Sequence, residues 1–158
     1  MAALKKMADI KAYFITTFTG FETIQDVIVG DFMQVADRES LKMKYPCLWV
    51  MYPMPRRPIY RNGRKNQWAV ELILLKDSTY QDVDKEETNF NELEILGDKL
   101  INKLESDAKN TRDFEFDPNT DMDEWQPKQN YSADNDNGWY IPIRLTTARC
   151  HPDCEDCL

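Results

Sequence analysis

Pro46-Cys47-Leu48-Trp49-Val50-Met51-Tyr52-Pro53 and Gln67-Trp68-Ala69-Val70-Glu71-Leu72-Ile73-Leu74 are the two stretches on which the fold turns. The first is an unbroken apolar run closed by prolines, the signature of a strand covered on both faces. The second puts Trp68, Val70, Leu72 and Leu74 on one face and Ala69, Glu71, Ile73 and Leu75 on the other, so it reads as a second strand with two largely buried faces. Between them, Met54 to Asn66 carries Pro55, Pro58 and the dipeptide Asn62-Gly63, the last a strong type I′ turn signal. The two strands are therefore predicted to pair as a hairpin with a long, protruding tip.

Upstream, Leu4, Met7, Ile10 and Phe14 recur at three- and four-residue spacing and predict an amphipathic helix over residues 3–18, ended by Gly20. Thr19 and Glu22 form a capping-box pattern that restarts a second helix, with the stripe Ile24, Val27, Ile28, Phe32 and Val35. The β-branched run Val27-Ile28-Val29 and the internal Gly30 also suit a strand. Downstream, Asn89 with Glu92 resembles a helix start, and Leu93, Leu96, Leu100 and Leu104 predict a third helix over about 89–107. Phe114 and Phe116 alternate with acids, and Trp139, Ile141, Ile143 and Leu145 alternate with Tyr140, Pro142, Arg144 and Thr146, which adds two strands. Pro142 has no backbone donor, so the last strand is expected at a sheet edge or with a bulge there.

The expected architecture is one α+β domain over 1–148 with a mainly antiparallel sheet of about four strands. The long helix is placed on one face, and the N-terminal helix on the other face or against a neighbouring subunit. The remaining 149–158 form a cysteine-rich tail. With 158 residues, 20 Lys and Arg, 28 Asp and Glu and a net charge of −8, the chain has the balance of a single globular domain. The acidic balance argues against general affinity for nucleic acid. No run approaches the roughly 20 apolar residues of a membrane span, which gives the expectation of a cytoplasmic chain.

Cys150, Cys154 and Cys157 crowd the last nine residues, while Cys47 stands alone, a distribution unlike a secreted disulfide framework. The C-x3-C-x2-C spacing matches that of cysteines holding a [4Fe-4S] cluster in radical SAM enzymes, but here no scaffold follows it. Zinc held by these thiolates and His151 suits the ligand chemistry, yet His151 directly adjoins Cys150 and the two rarely reach one ion together. No metal or cofactor is assigned; a zinc-binding adaptor using the tail is the alternative reading. Asp117-x-Asn119-x-Asp121-x-Asp123 begins like an EF-hand loop, but Met122 stands where glycine is needed and Lys128 where the bidentate Glu belongs. Asp134-Asn135-Asp136-Asn137-Gly138 reads as a tight turn. No nucleophile–base pair or phosphate-cradling glycine loop can be assembled, so the chain is not read as an enzyme.

The informative feature is the hairpin tip. Arg56, Arg57, Arg61, Arg64 and Lys65 lie within 54–66, which contains no acid. Setting these five charges aside from the net −8 leaves −13 on the rest of the chain. A basic arm on an acidic body suits contact with an adjoining subunit or with DNA in a channel.

In its succession of N-terminal helix, hairpin, long helix and closing Gly138-Trp139-Tyr140-Ile141-Pro142-Ile143-Arg144-Leu145-Thr146, the chain resembles the tail-terminator and tail-completion proteins of tailed bacteriophages. It is also similar to the neck ring proteins of crAss-like phages infecting Bacteroidetes. The resemblance covers about residues 1–148. It implies a non-enzymatic virion protein, assembled in the host cytoplasm and forming a neck ring of six or twelve copies between portal and tail. Its implied partners are its own copies, other neck, portal and tail proteins, and DNA passing through the channel. The cysteine-rich tail and the long proline-rich hairpin depart from that pattern.

Overall fold

The computed structural model describes residues 4–31, 43–59, 64–79, 81–129 and 136–149. In chain order the elements are α1 (Met7–Phe18), β1 (Asp26–Gly30), β2 (Cys47–Met51), β3 (Arg56–Ile59), β4 (Lys65–Asp77), α2 (Val83–Thr111), β5 (Gln126–Gln129) and β6 (Asp136–Ala148). Six strands form one open sheet in the order β1-β2-β4-β6-β5, with β3 also on β4. The α+β class stands, but the described residues form six strands where about four were expected. The sheet is also mixed, because β1 runs parallel to β2 while every other pair is antiparallel.

The spine is the β4–β6 pair, in register from Lys65↔Ala148 to Asp77↔Asp136. β2 spans only residues 72–75 of β4, leaving the other half of the same edge to β3, which pairs from Arg56↔Trp68 to Ile59↔Lys65. Much of the expected loop 54–66 is therefore strand, and Asn62-Gly63 lies outside the described residues.

The second helix is corrected for residues 26–30. Ile24, Val27 and Ile28 satisfy a helical period, but Val27-Ile28-Val29 takes the extended form its branched side chains prefer and docks in parallel register, Asp26↔Cys47 through Gly30↔Met51. Phe32 and Val35 lie outside the described residues. Gly20, at φ +77°, ends the turn after α1 in the left-handed region.

α2 is longer than predicted at both ends. Asp82 caps it by accepting from the Lys85 amide at 3.1 Å, and Asp84 and Glu86 favour the first turn electrostatically. Asn89, read as a cap, is instead buried in the helix. Its Nδ2 donates to the Asp77 carbonyl at 2.8 Å and to Asn137 Oδ1 at 3.0 Å, tying the helix to the β4–β6 end.

Both helices cover the same face, contrary to the expected split. Ile10, Tyr13, Phe14 and Phe18 of α1 share one core with Leu93, Leu96, Leu100 and Leu104 of α2, and with Leu48, Val50, Trp68, Val70, Leu72, Leu74, Ile141, Ile143 and Leu145 of the sheet. The reason is visible in β4. Its even-numbered face is apolar and buried from Trp68 to Leu74, whereas on the odd face Gln67 and Glu71 are half-buried and Ala69 is exposed, leaving only Ile73 and Leu75 fully buried there. On that second face Ile28, Cys47, Trp49, Ile73 and Leu75 form a smaller cluster with Met43, Tyr45, Met51 and Tyr140.

Phe114 and Phe116 are buried in the main core, but their segment makes only a bridge, Glu115↔Thr146, in place of a full strand. β6 is an interior strand, so Pro142 is not at an edge. Its carbonyl accepts from the Asp123 amide at 3.2 Å, so its donorless side faces outward. There the neighbour of β6 changes from β5 to the Met122 bridge, a break that spares the missing donor.

At Gly138 a Cβ would meet Leu75 Cδ2 at 2.7 Å and the Leu74 carbonyl oxygen at 2.9 Å. Backbone cannot yield as a side-chain tip does. Gly138→Ala is expected to lower stability by about 1–3 kcal/mol, read as a fall in the urea midpoint.

Candidate functional site

The five basic residues singled out from the sequence separate in the structure. Arg56 and Arg57 are exposed on β3, at one side of the sheet. Trp68, across the strand pair, is anchored by its Nε1 donating to Thr147 Oγ1 at 3.0 Å, and the Arg56 guanidinium lies 5.9 Å from the Trp68 ring centroid. Pro58 is exposed on the same strand and, with the two arginines, blunts an edge that would otherwise be a template for strand addition. Arg64 is exposed, and its carbonyl accepts from the Arg149 amide at 2.8 Å. Lys65 is engaged within the chain through an ion pair with Glu115. Arg61 lies outside the described residues.

The partner of Lys65 exposes what the sequence reading missed. Residues 113–124 contain Asp113, Glu115, Asp117, Asp121, Asp123 and Glu124 and no base. Phe114 and Phe116 sink into the helix-covered core and hold this strip along the outer side of β6. The Glu115 amide donates to the Thr146 carbonyl at 2.7 Å, and the Arg144 amide to the Asp121 carbonyl at 2.7 Å. One cross-sheet row then runs Arg57↔Gln67↔Thr146↔Glu115. Its ends are separated by three strand spacings, about 14 Å. A basic edge and an acidic edge thus bound the same end of the sheet. The sequence signal was the acidic alternation around Phe114 and Phe116; its position opposite β3 is a product of register.

The charges at the two edges are unequally satisfied. On the acidic strip, Glu115 pairs with Lys65, and Asp123 with Arg144 at 2.6 Å. Among the described residues, neither Asp113, Asp117, Asp121 and Glu124 on the strip nor Arg56, Arg57 and Arg64 opposite makes an ion pair. The EF-hand-like loop satisfies itself: Asp117 Oδ1 accepts from the Asn119 amide at 2.9 Å, and Asp121 Oδ2 from the Asp117 amide at 3.0 Å. Among the described residues no group of three or more His, Cys, Asp or Glu is placed to hold a metal ion. Cys150, His151, Cys154 and Cys157 lie outside the described residues.

Two buried titratable groups are structural in character. Burial, aided by the nearby Asp136 and Asp26 charges, pushes the Cys47 thiol far above its ordinary range, which keeps it protonated and a poor nucleophile. Tyr13 is likewise raised, first by burial and then by its hydroxyl's 2.8 Å bond to Asp107, which also takes Lys103 at 2.6 Å. A shallow groove of about 320 Å³ lies between the turn after α1 and the outer side of α2, lined by Glu22, Thr23, Glu92, Ile95, Leu96 and Lys99. Its rim charges are occupied, Lys99 by Glu22 at 2.9 Å and Glu92 by Lys76. No described helix is long and apolar enough to cross a membrane. The chain matches no family model, no curated protein and no solved structure.

Proposed function

We propose that this chain is a non-enzymatic assembly subunit: a head-to-tail connector or tail-terminator ring protein of a tailed-phage neck, acting in the virion after assembly in the host cytoplasm. The observation that carries the reading is the division of charge across the β3–β4–β6 ribbon, with exposed Arg56 and Arg57 at one edge and the acidic strip at the other. A closed ring needs a heterologous contact, in which one patch of each copy fits a different patch of the next. A domain with unlike edges supplies two such patches. Like edges repel, which disfavours a two-fold dimer built edge to edge.

The long β4–β6 pair gives the subunit a rigid spine, and the helices leave the polar half of the opposite sheet face uncovered for neighbours. Neck, portal and tail proteins are the proposed further partners. The net charge of −8 has a use in such a ring: a mainly acidic lumen repels DNA phosphates and lets a genome slide.

Analytical ultracentrifugation with electron microscopy of the purified chain tests the reading. The expected result is a closed ring of fixed copy number, six or twelve, that weakens between 50 mM and 500 mM salt as the charges are screened. A chain that stays monomeric at high protein concentration and low salt overturns it.

A further inference from the structure

Both edges of the ribbon carry charge that no counter-ion among the described residues meets, and the two sets are opposite in sign. Arg56, Arg57 and Arg64 make no ion pair among the described residues, and Asp113, Asp117 and Glu124 make none on the strip. An exposed arginine beside water alone needs no explanation. Here the guanidinium of Arg56 is held over an indole that is itself hydrogen-bonded, so one end of the basic edge is pre-positioned. The strip opposite is fixed by main-chain bonds to β6 and by the burial of Phe114 and Phe116 at 3% and 6% exposure. Both surfaces are thus ordered before contact, which lowers the entropy lost on docking.

We infer that the β3 edge of one copy docks on the strip 113–124 of the next, with Arg56 and Arg57 seated against Asp113, Asp117 and Glu124. This rests on the assembly reading above and names the two surfaces through which it operates. The occupant is a second copy of this chain because the complementary surface is carried by every copy, at the opposite side of the same sheet. Repeating one such junction moves each copy by a constant rotation and leaves no edge unpaired when the ring closes.

Four chains test the junction by sedimentation: wild type, Arg56→Glu/Arg57→Glu, Asp113→Lys/Glu124→Lys, and the chain carrying all four changes. Arg56, Arg57 and Glu124 are exposed and Asp113 is half-buried, and none makes an ion pair among the described residues, so thermal unfolding of each chain is expected to stay close to wild type. Each double variant sets like charge against like and should associate at least tenfold more weakly than wild type. The fourfold variant restores opposite charges with reversed sense and should recover assembly. An equimolar mixture of the two double variants should also assemble, because each supplies the edge the other lacks.

An assembling wild type whose double variants assemble as well overturns the junction and leaves the ring reading standing. A wild type that never assembles overturns both. If the arginine variant alone is impaired, is not rescued by the strip changes, and has lost retention of double-stranded DNA at low salt, the basic edge is a phosphate contact and the junction is rejected.

Discussion

Phe14→Ala is expected to remove about 3–5 kcal/mol of stability, the range for deleting a fully buried aromatic side chain. Phe14 is fully buried, with its ring 5.5 Å from Tyr13 edge-on and 5.6 Å from Phe18 in a stacked arrangement. Helix α1 has only 12 residues, too few to persist in water alone, so its helicity depends on this packing. The loss would therefore include the transfer energy of the ring and a cavity between α1, β1 and β2. Against a typical total of about 5–15 kcal/mol, one substitution would take about a fifth or more.

A second substitution on the same helix separates packing from polar anchoring. Tyr13→Phe keeps the ring and removes the hydroxyl that donates to Asp107. Asp107 keeps Lys103, so the expected cost is about 1–2 kcal/mol. Urea unfolding followed by tryptophan fluorescence measures both. A Phe14→Ala loss below about 1 kcal/mol would mean that α1 is not integral to the core.

The elements that were legible in the sequence are those whose burial pattern is local. Cys47–Met51 and Trp68–Leu75 declare themselves because most of their residues are apolar on both faces. The leucine stripe of α2 does so because four residues repeat at helical spacing. β1 is ambiguous because Ile24, Val27 and Ile28 satisfy the helical period while the β-branched run Val27-Ile28-Val29 suits a strand, and parallel pairing with β2 decides between them. β3 was hidden: Arg56-Arg57-Pro58-Ile59 has no apolar alternation, and it is a strand because β4 outruns β2 and leaves half an edge open. The same holds for the candidate site. The basic cluster is contiguous in sequence and reads directly, and the acids alternating with Phe114 and Phe116 read as a strand, of which the structure keeps only the Glu115↔Thr146 bridge. That Arg57 and Glu115 end one row through Gln67 and Thr146 depends on three pairings between distant segments, which no local pattern encodes.

Alkaline pH is expected to destabilise the fold from about pH 9 upward, through two groups whose protons the folded state retains. Cys47 and Tyr13 have ordinary values of 9.0 and 10.0, and both are raised in the folded chain, chiefly by burial. Below pH 9 both are protonated in either state and their contribution is fully present. As pH rises, the unfolded chain releases first the thiol proton and then the phenol proton while the folded chain holds both. The unfolded state then binds fewer protons, and stability falls with pH by up to about 1.4 kcal/mol per unit for each group. By pH 11 the thiol has passed about two units and the phenol about one, a combined loss approaching about 4 kcal/mol. Cys47→Ala should flatten the fall from pH 9 upward, and Tyr13→Phe should flatten only the part above 10. Stability curves for wild type and Cys47→Ala that run parallel from pH 8 to 11 would refute the thiol's share. Alkylation gives a second check on the same burial: at pH 8 the peptide containing Cys47 should stay unmodified in the native chain and label fully once urea unfolds it.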